Sequence, residues 1–225
     1  MKTEHAIREH HLPVTKTARY CTLGADGKVA QEVWFVLHGF GQLAPYFIRH
    51  FGVLADGTRL IVAPEALNRF YLESPGWRAA GDARVGATWM TREERLREID
   101  DYVGYLDGLS DRVMAQVRQS VPRVVVLGFS QGVATAARWV CRGRVRAASL
   151  ILWAGPWPPE LDRAAAARLS GVRVVRVVGE TDDMGAPGTQ AAEDERFRNA
   201  GIDAPLIRFA GAHQLDRDTL RKLAR

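Results

Sequence analysis

Hydrophobic residues along the chain form short continuous runs that alternate with longer amphipathic stretches. Several runs are rich in Val, Ile and Leu at consecutive positions, which is typical of strands covered on both faces. The Asp26-Gly27 pair is a turn signal and predicts that the first two strands form an antiparallel hairpin. The seven predicted strands are Val14–Leu23, Val33–Leu37, Arg59–Ala63, Arg123–Leu127, Ser149–Trp153, Val172–Val178 and Pro205–Phe209.

The amphipathic stretches predict helices between these strands. The clearest one covers Arg95–Arg118, where apolar residues recur at spacings of three, four and seven and so share one helix face. Gly171 and Gly201 follow two other stretches and predict where those helices end. The remaining predicted helices are Gln131–Val140, Glu160–Leu169, Gln190–Asn199 and Leu215–Leu223.

The alternation of strands and helices predicts the α/β fold class and a single domain over residues 1–225. We expect three layers, with a mostly parallel central sheet of about seven strands that opens with the antiparallel hairpin. A chain of 225 residues can bury a core of this size without disulfides. The two cysteines, Cys21 and Cys141, are therefore expected to be reduced thiols within packed elements.

The segment Pro64–Thr91 has neither a helical nor a strand period and is rich in aromatic residues. Connections longer than about 12–15 residues without regular structure are uncommon and are often functional. We expect this segment to form a wall of a substrate pocket. The predicted pocket residues are Tyr71, Trp77 and Trp89 from this segment, together with Trp157.

The formal charge of +5 does not indicate a nucleic-acid partner. Only four of the 31 basic residues are Lys, and the Arg residues are scattered among 26 acidic ones with no basic block. No apolar run approaches the roughly 18 residues of a membrane span, and the N-terminal region lacks the apolar core of a secretory signal. We therefore expect no membrane span and a cytoplasmic location.

A G-x-S-x-G pattern stands at Gly128-Phe129-Ser130-Gln131-Gly132, between a predicted strand and a predicted helix. A sharp strand-to-helix turn pushes a serine hydroxyl above the sheet edge, where it can act as a nucleophile. The helix N-terminus provides a free N–H, which we assign to Gln131, for a developing oxyanion. The alternative is a tight turn with a merely exposed serine.

A serine hydroxyl needs a base to accept its proton, and histidine is the usual one. His213 follows the last predicted strand, at the sheet edge where ligands gather in open parallel sheets. We expect His213 to be the general base; the alternative is a histidine at a helix N-terminus. His5, His10 and His11 lie in the N-terminal arm and are expected to be surface residues rather than a metal site, because no carboxylate or cysteine at metal-ligand spacing supports one.

Three carboxylates, Glu180, Asp182 and Asp183, follow the penultimate strand, where an acid that orients the imidazole is expected. Glu180 comes too soon after the strand to reach over its end, so we predict Asp182. Asp183 is the main alternative. N-capping of the following helix is another interpretation of this cluster.

The run Leu37-His38-Gly39-Phe40-Gly41 directly follows a strand. Its glycines let the backbone bend toward the serine and present a second N–H to the oxyanion, which we assign to Phe40. The alternative is an ordinary glycine-rich turn.

Four motifs together resemble the α/β-hydrolase superfamily, specifically the phospholipase/carboxylesterase branch that includes acyl-protein thioesterases. They are V-L-H-G-F-G at 36–41, L-G-F-S-Q-G at 127–132, G-E-T-D at 179–182 and G-A-H at 211–213, and they span most of the chain in the family's order. The resemblance implies an α/β-hydrolase fold with Ser130 as nucleophile, Asp182 and His213 as its partners, and Phe40 and Gln131 as oxyanion donors.

The chain departs from the family pattern in three places. Gln42 stands where the family usually has an acidic residue, residues 183–187 lack the usual short apolar segment, and residues 64–91 have no clear counterpart. The family's substrate is therefore not carried over.

We expect a serine hydrolase of carboxylic esters or thioesters that needs no metal or cofactor and acts on a small-molecule or lipid ester. The alternatives are a non-catalytic binding protein with the same fold, or an acyltransferase or peptidase with the same triad. The acyl chain length and the oligomeric state, a homodimer included, remain open at this point.

Overall fold

The computed structural model describes residues 7–73, 83–118, 122–183 and 189–225. In these residues seven strands form one sheet in the order β1-β3-β2-β6-β7-β8-β9, and β4 and β5 form a separate two-stranded sheet. Only β1 runs antiparallel in the large sheet, so the predicted mostly parallel seven-stranded sheet with an antiparallel first strand is confirmed. The strands are β1 (Tyr20–Gly24), β2 (Glu32–Leu37), β3 (Arg59–Pro64), β4 (Asn68–Tyr71), β5 (Val85–Thr88), β6 (Arg123–Phe129), β7 (Ser149–Trp153), β8 (Arg173–Gly179) and β9 (Leu206–Phe209).

The predicted hairpin between the first two strands is wrong, because β1 pairs with β3. Tyr20 lies opposite Pro64, and β3 separates β1 from β2. The turn at Asp26 does form, since its side chain accepts a hydrogen bond from the Lys28 N–H at 2.7 Å. It belongs to a longer connection that crosses the end of β3, so a local turn signal did not determine which strands pair.

The helices follow the predicted periodicity but differ at their ends. The long helix stops at Met114, four residues before the predicted end at Arg118. The predicted helix Glu160–Leu169 begins only at Arg163, because Asp162 caps its first turn by accepting a hydrogen bond from the Ala165 N–H. The helices are α1 (Ala44–Phe47), α2 (Arg95–Met114), α3 (Gln131–Arg142), α4 (Arg163–Ala166), α5 (Thr189–Ala200) and α6 (Arg217–Leu223), with 3-10 turns at Ile48–Leu54 and Ala167–Leu169.

Two hydrophobic clusters, one on each face of the sheet, confirm the three-layer arrangement. Neighbouring residues of β2 point to opposite faces, so that Phe35 enters one cluster and Trp34 the other. The Phe35 ring packs edge-on against Trp139 of α3, with ring centroids 5.2 Å apart. None of the helices in the described residues is both long and apolar enough to cross a membrane.

Part of the segment Pro64–Thr91 is regular, contrary to the prediction. β4 and β5 pair antiparallel, with Asn68 opposite Thr88 and Tyr71 opposite Val85. Trp77, one of the predicted pocket residues, lies outside the described residues.

Candidate active site

Ser130 occupies a strained turn between β6 and α3. Its backbone angles, φ 54° and ψ −118°, lie in a region that residues with a Cβ rarely adopt. A Cβ at Gly128 would lie 2.2 Å from the Gly132 carbonyl oxygen, and one at Gly132 would lie 2.3 Å from that of Leu37. Both glycines of the G-x-S-x-G pattern are therefore required by the close approach of the backbone.

Asp182 and His213 face each other at the carboxyl ends of β8 and β9. The His213 Nδ1 atom lies 3.0 Å from Oδ2 and 3.1 Å from Oδ1 of Asp182. The Asp182 side chain is 5% exposed and that of His213 is 22% exposed, so the pair is largely shielded but open on the imidazole side. The two alternative acids, Asp183 and Glu180, are exposed residues.

Gly179, the last residue of β8, allows the loops that carry Asp182 and His213 to meet. A Cβ at Gly179 would lie 2.3 Å from the carbonyl oxygens of both Gly211 and Ala212. The Thr181 N–H also donates a hydrogen bond to the Gly211 carbonyl at 3.0 Å. The two loops are thus joined through their backbones.

Trp153, at the end of β7, connects the Ser130 turn to the loop of His213. Its carbonyl accepts a hydrogen bond from the Ser130 N–H at 2.9 Å, and its indole N–H donates to the Gln214 carbonyl at 2.9 Å. The His213 ring also lies 5.0 Å from the ring of Phe129, the residue before Ser130. In the described part of the chain the Ser130 hydroxyl makes no hydrogen bond, so none joins it to His213 in this structure. Catalytic hydrogen bonds are often long in the absence of substrate.

Residues 39–42 form a tight turn against Ser130. The Gln42 N–H donates to the Gly39 carbonyl at 3.2 Å, and Gly41 has a φ of 74° at the third position, as a type II turn requires. A Cβ at Gly39 would lie 3.1 Å from the Ser130 Cβ, so this turn touches the serine directly. It is named here the oxyanion turn, after the role proposed for it below. Among the described residues, none accepts a hydrogen bond from the N–H of Phe40 or of Gln131.

His38, immediately before the oxyanion turn, is fully buried. Its Nδ1 lies 2.7 Å from the Gly39 carbonyl oxygen, and its Nε2 accepts a hydrogen bond from the Ala66 N–H at 3.1 Å. Burial lowers the pKa of His38 to about 4, although the hydrogen bond to Gly39 and the charge of Glu65 act in the opposite direction. The imidazole is therefore neutral at neutral pH, with its proton on Nδ1.

The hairpin of β4 and β5 packs against the oxyanion turn. The Gly41 N–H donates to the Ala87 carbonyl at 2.9 Å, and a Cβ at Gly86 would lie 2.5 Å from the Gly41 carbonyl oxygen. The Phe40 and Phe70 rings are 5.0 Å apart, and half of Tyr71 is exposed. The hairpin of β4 and β5 thus lies beside the candidate site.

Trp89 and Trp157 are not on a pocket wall, contrary to the prediction, but in the core. Each is 1% exposed. The indole N–H of Trp89 donates to the His38 carbonyl at 2.8 Å, and that of Trp157 donates to the Leu161 carbonyl at 3.0 Å. A Trp side chain can be buried favourably when its indole N–H is hydrogen-bonded, because its large apolar surface leaves water and its polar group keeps a partner. The aromatic content of a segment does not distinguish such a core residue from one on a pocket wall.

The Gln131 side chain, which the sequence analysis did not single out, binds the end of β5. Its amide oxygen accepts from the Trp89 N–H at 3.1 Å, and its amide nitrogen donates to Thr88 Oγ1 at 2.8 Å and to the Met90 carbonyl at 3.1 Å. The only sequence signal for this contact was the residue type, since a side-chain amide can donate and accept hydrogen bonds at the same time.

A cavity of about 370 Å³ lies next to Asp182, between α5 and the ends of β7, β8 and β9. Its lining includes Gly155, whose missing Cβ would lie 2.3 Å from the Ser130 carbonyl oxygen. Of the predicted pocket residues that the structure describes, none borders this cavity.

His11 meets two carboxylates at the surface, at the start of α2. Its Nε2 lies 3.1 Å from Glu9 and 3.0 Å from Glu94, and all three residues are exposed. The sequence analysis counted no carboxylate at metal-ligand spacing, although Glu9 is only two residues from His11; the second carboxylate, Glu94, is 83 residues away along the chain and becomes a neighbour only in the fold. His10 is exposed, as predicted, and His5 lies outside the described residues.

No protein-family model and no curated protein sequence matches the chain. Solved structures do match over nearly its whole length. A structure named esterase PE8 has 21% sequence identity and a TM-score of 0.65, and the match covers 93% of this chain and 97% of that chain. Zea mays acyl-protein thioesterase 2 has 16% identity and a TM-score of 0.67, with 92% and 96% covered. A Bacillus cereus carboxylesterase has 15% identity and a TM-score of 0.64, with 92% of each chain covered.

Identities at this level establish a shared architecture rather than a shared substrate. The matches cover at least 92% of this chain, and its mostly parallel seven-stranded sheet with one antiparallel strand, flanked by helices, is of the α/β-hydrolase type. The branch that the four motifs resemble is also represented among the matching structures. The chain therefore has the α/β-hydrolase fold.

Proposed function

We propose that this protein is a serine hydrolase that cleaves carboxylic esters or thioesters through an acyl-enzyme intermediate. The observation that carries the proposal is the strained Ser130 turn, which stands beside a shielded Asp182–His213 pair at the same edge of the sheet. Asp182 and His213 pair although 31 residues separate them, and the His213 ring lies 5.0 Å from the ring of Phe129, the residue before Ser130. These contacts support an arrangement of nucleophile, base and orienting acid.

In the proposed reaction His213 Nε2 accepts the proton of the Ser130 hydroxyl as its oxygen attacks the acyl carbonyl. The Asp182 carboxylate accepts a hydrogen bond from Nδ1, which fixes the tautomer and stabilises the imidazolium. The free N–H groups of Phe40 and Gln131 would bind the oxyanion of the tetrahedral intermediate. His213 then gives the proton to the leaving alcohol or thiol, and later activates a water molecule that releases the acid.

The substrate is proposed to reach Ser130 beside the half-exposed Tyr71 and the aromatic hairpin that packs on the oxyanion turn. Of the predicted pocket residues within the described ranges, Tyr71 is the exposed one. Trp89 and Trp157 are left out of the proposed wall because both are buried.

The direct test is hydrolysis of p-nitrophenyl acetate and butyrate, and of butyryl thioesters, by the wild type and by Ser130→Ala. The variant should lose all turnover and all labelling by a fluorophosphonate, with an unchanged melting temperature. Ser170→Ala, at an exposed serine in a turn far along the chain, is the matched control and should behave as the wild type.

Turnover by Ser130→Ala at the wild-type rate would overturn the proposal. A wild type that neither labels nor hydrolyses any ester or thioester would favour a non-catalytic binding protein with this fold. Ester formation with an added alcohol in preference to water would indicate an acyltransferase.

A further inference from the structure

Two successive peptide groups at the oxyanion turn, those that precede and follow Gly39, have hydrogen bonds to most of their polar groups. The peptide that joins His38 and Gly39 is bound at its carbonyl by the Trp89 indole N–H, at 2.8 Å, and at its N–H by the Gln42 side-chain oxygen, also at 2.8 Å. Both polar groups of that peptide are therefore fixed by side chains.

The next peptide, between Gly39 and Phe40, is held through its carbonyl alone. The Gly39 oxygen receives the His38 Nδ1–H at 2.7 Å and the Gln42 backbone N–H at 3.2 Å. Within the described residues the N–H of Phe40, in the same peptide, has no acceptor. Three of the four polar groups of the two peptides are thus occupied, and the free one is the N–H assigned to the oxyanion.

A trans peptide is planar, with its C=O and N–H pointing in opposite directions. Whatever fixes the Gly39 carbonyl therefore fixes the direction of the Phe40 N–H. The His38 imidazole can do so because its other nitrogen is held by the Ala66 N–H and because its proton stays on Nδ1. The Gln42 side chain fixes the preceding peptide, so the turn cannot rotate as a unit.

We propose that His38 and Gln42 are positioning residues that aim the Phe40 N–H at the oxyanion; the inference rests on the proposed ester hydrolysis at Ser130. Neither side chain touches the reacting atoms. Both act through the peptide plane, and Gln42 does so at a place where the family resemblance leads one to expect an acidic side chain. A neutral amide there supplies the acceptor for the Gly39 N–H without adding a negative charge close to a developing oxyanion.

His38→Asn and His38→Gln form a matched pair that separates the two ring nitrogens. The Asn amide nitrogen can take the place of Nδ1 and keep the hydrogen bond to the Gly39 carbonyl. The Gln amide reaches the place of Nε2 and keeps the acceptor for Ala66, but not the donor to Gly39. Hydrolysis of p-nitrophenyl butyrate by His38→Gln should have a kcat at least about tenfold below that of His38→Asn, with KM changed far less.

A trifluoromethyl ketone adds to the serine as a hemiketal oxyanion, so its inhibition constant should rise in parallel with the loss of kcat/KM. Competitive inhibition by butyrate, which forms no such oxyanion, should not change in the same way. Gln42→Met keeps the length of this half-buried side chain and removes its acceptor oxygen. It should lower kcat far more than it changes KM, and should weaken inhibition by the trifluoromethyl ketone without a parallel effect on butyrate. If the His38 variants do not fold, this variant alone tests the positioning role.

Equal kcat values for His38→Asn and His38→Gln, together with a wild-type kcat for Gln42→Met, would overturn the positioning role while leaving the proposed hydrolase intact. A wild type without esterase or thioesterase turnover would overturn both.

Discussion

The Asp182 carboxylate and the His213 Nδ1 atom lie 3.0 Å apart although 31 residues separate them along the chain. Because β8 and β9 are parallel neighbours, their carboxyl ends lie at the same edge, and the glycine at the end of β8 lets the two following loops touch. The neighbouring Asp183 is exposed, so one position along the chain separates a shielded partner from a solvated carboxylate.

Asp182→Asn should therefore lower kcat for p-nitrophenyl butyrate by about 10³- to 10⁴-fold, because the amide favours the wrong imidazole tautomer and leaves the imidazolium unpaired. Asp183→Asn is the matched control and should keep most of the wild-type kcat. A larger loss of kcat in Asp183→Asn than in Asp182→Asn would mean that Asp183, and not Asp182, is the acid that orients His213.

Ser130 stores backbone strain, since its φ of 54° is paired with a ψ that only glycine adopts readily. Ser130→Gly should unfold with a free energy about 1 kcal/mol above that of Ser130→Ala, because relief of strain outweighs the added freedom of the unfolded chain. Urea denaturation of the two inactive variants measures the difference. A less stable Ser130→Gly would mean that the turn is relaxed.

Gly132→Ala should abolish activity and lower the melting temperature, because its Cβ would lie 2.3 Å from the Leu37 carbonyl oxygen, and that oxygen can move only if the backbone of β2 moves with it. Gly108→Ala is the control. It lies inside α2 with open space around the position of a Cβ, and alanine there should stabilise the protein by up to about 1 kcal/mol. Thermal unfolding of both variants, with the esterase assay, tests the contrast.

The lowered pKa of Glu160 predicts that the stability of the protein depends on pH. Burial raises its pKa, but hydrogen bonds from Arg138 at 2.6 Å and Arg95 at 2.8 Å outweigh this and hold the pKa at about 2, below the ordinary value of 4.5. A pKa lowered by folding stabilises the native state above the unfolded value, and this contribution is lost as the pH falls from about 4.5 toward about 2.

Glu160→Gln should thus be less stable than the wild type at pH 7, by about 1–3 kcal/mol, since it leaves the buried Arg138 guanidinium without its carboxylate. The gap in the free energy of unfolding should shrink between pH 5 and pH 3. Urea denaturation at three pH values measures it; a gap that stays constant across this range would contradict the assignment.

Local patterns predicted the elements of the site better than its surroundings. The G-x-S-x-G turn, the strand ends that carry Asp182 and His213 and the glycine-rich turn at Gly39 all depend on short stretches of chain whose backbone demands are visible in the residue types. Strand pairing depends on contacts between distant segments, so the Asp26 turn signal predicted a partner for β1 that β3 takes instead.

Burial was the second limit of prediction. Trp89 and Trp157 differ from the half-exposed Tyr71 in how the fold surrounds them, which the aromatic residue type alone does not reveal, so the sequence predicted one pocket wall for all three. Similarly, the hydrogen bonds between the Gln131 side chain and the backbone of Trp89 and Met90 become visible only once the end of β5 is placed beside the start of α3.

The Gln131 amide has a mechanical consequence. It joins the first residue of α3 to the end of β5, and Gly41 joins the oxyanion turn to the same strand. A displacement of that strand would therefore disturb both proposed oxyanion donors together, so lifting this hairpin would weaken the same site that it opened.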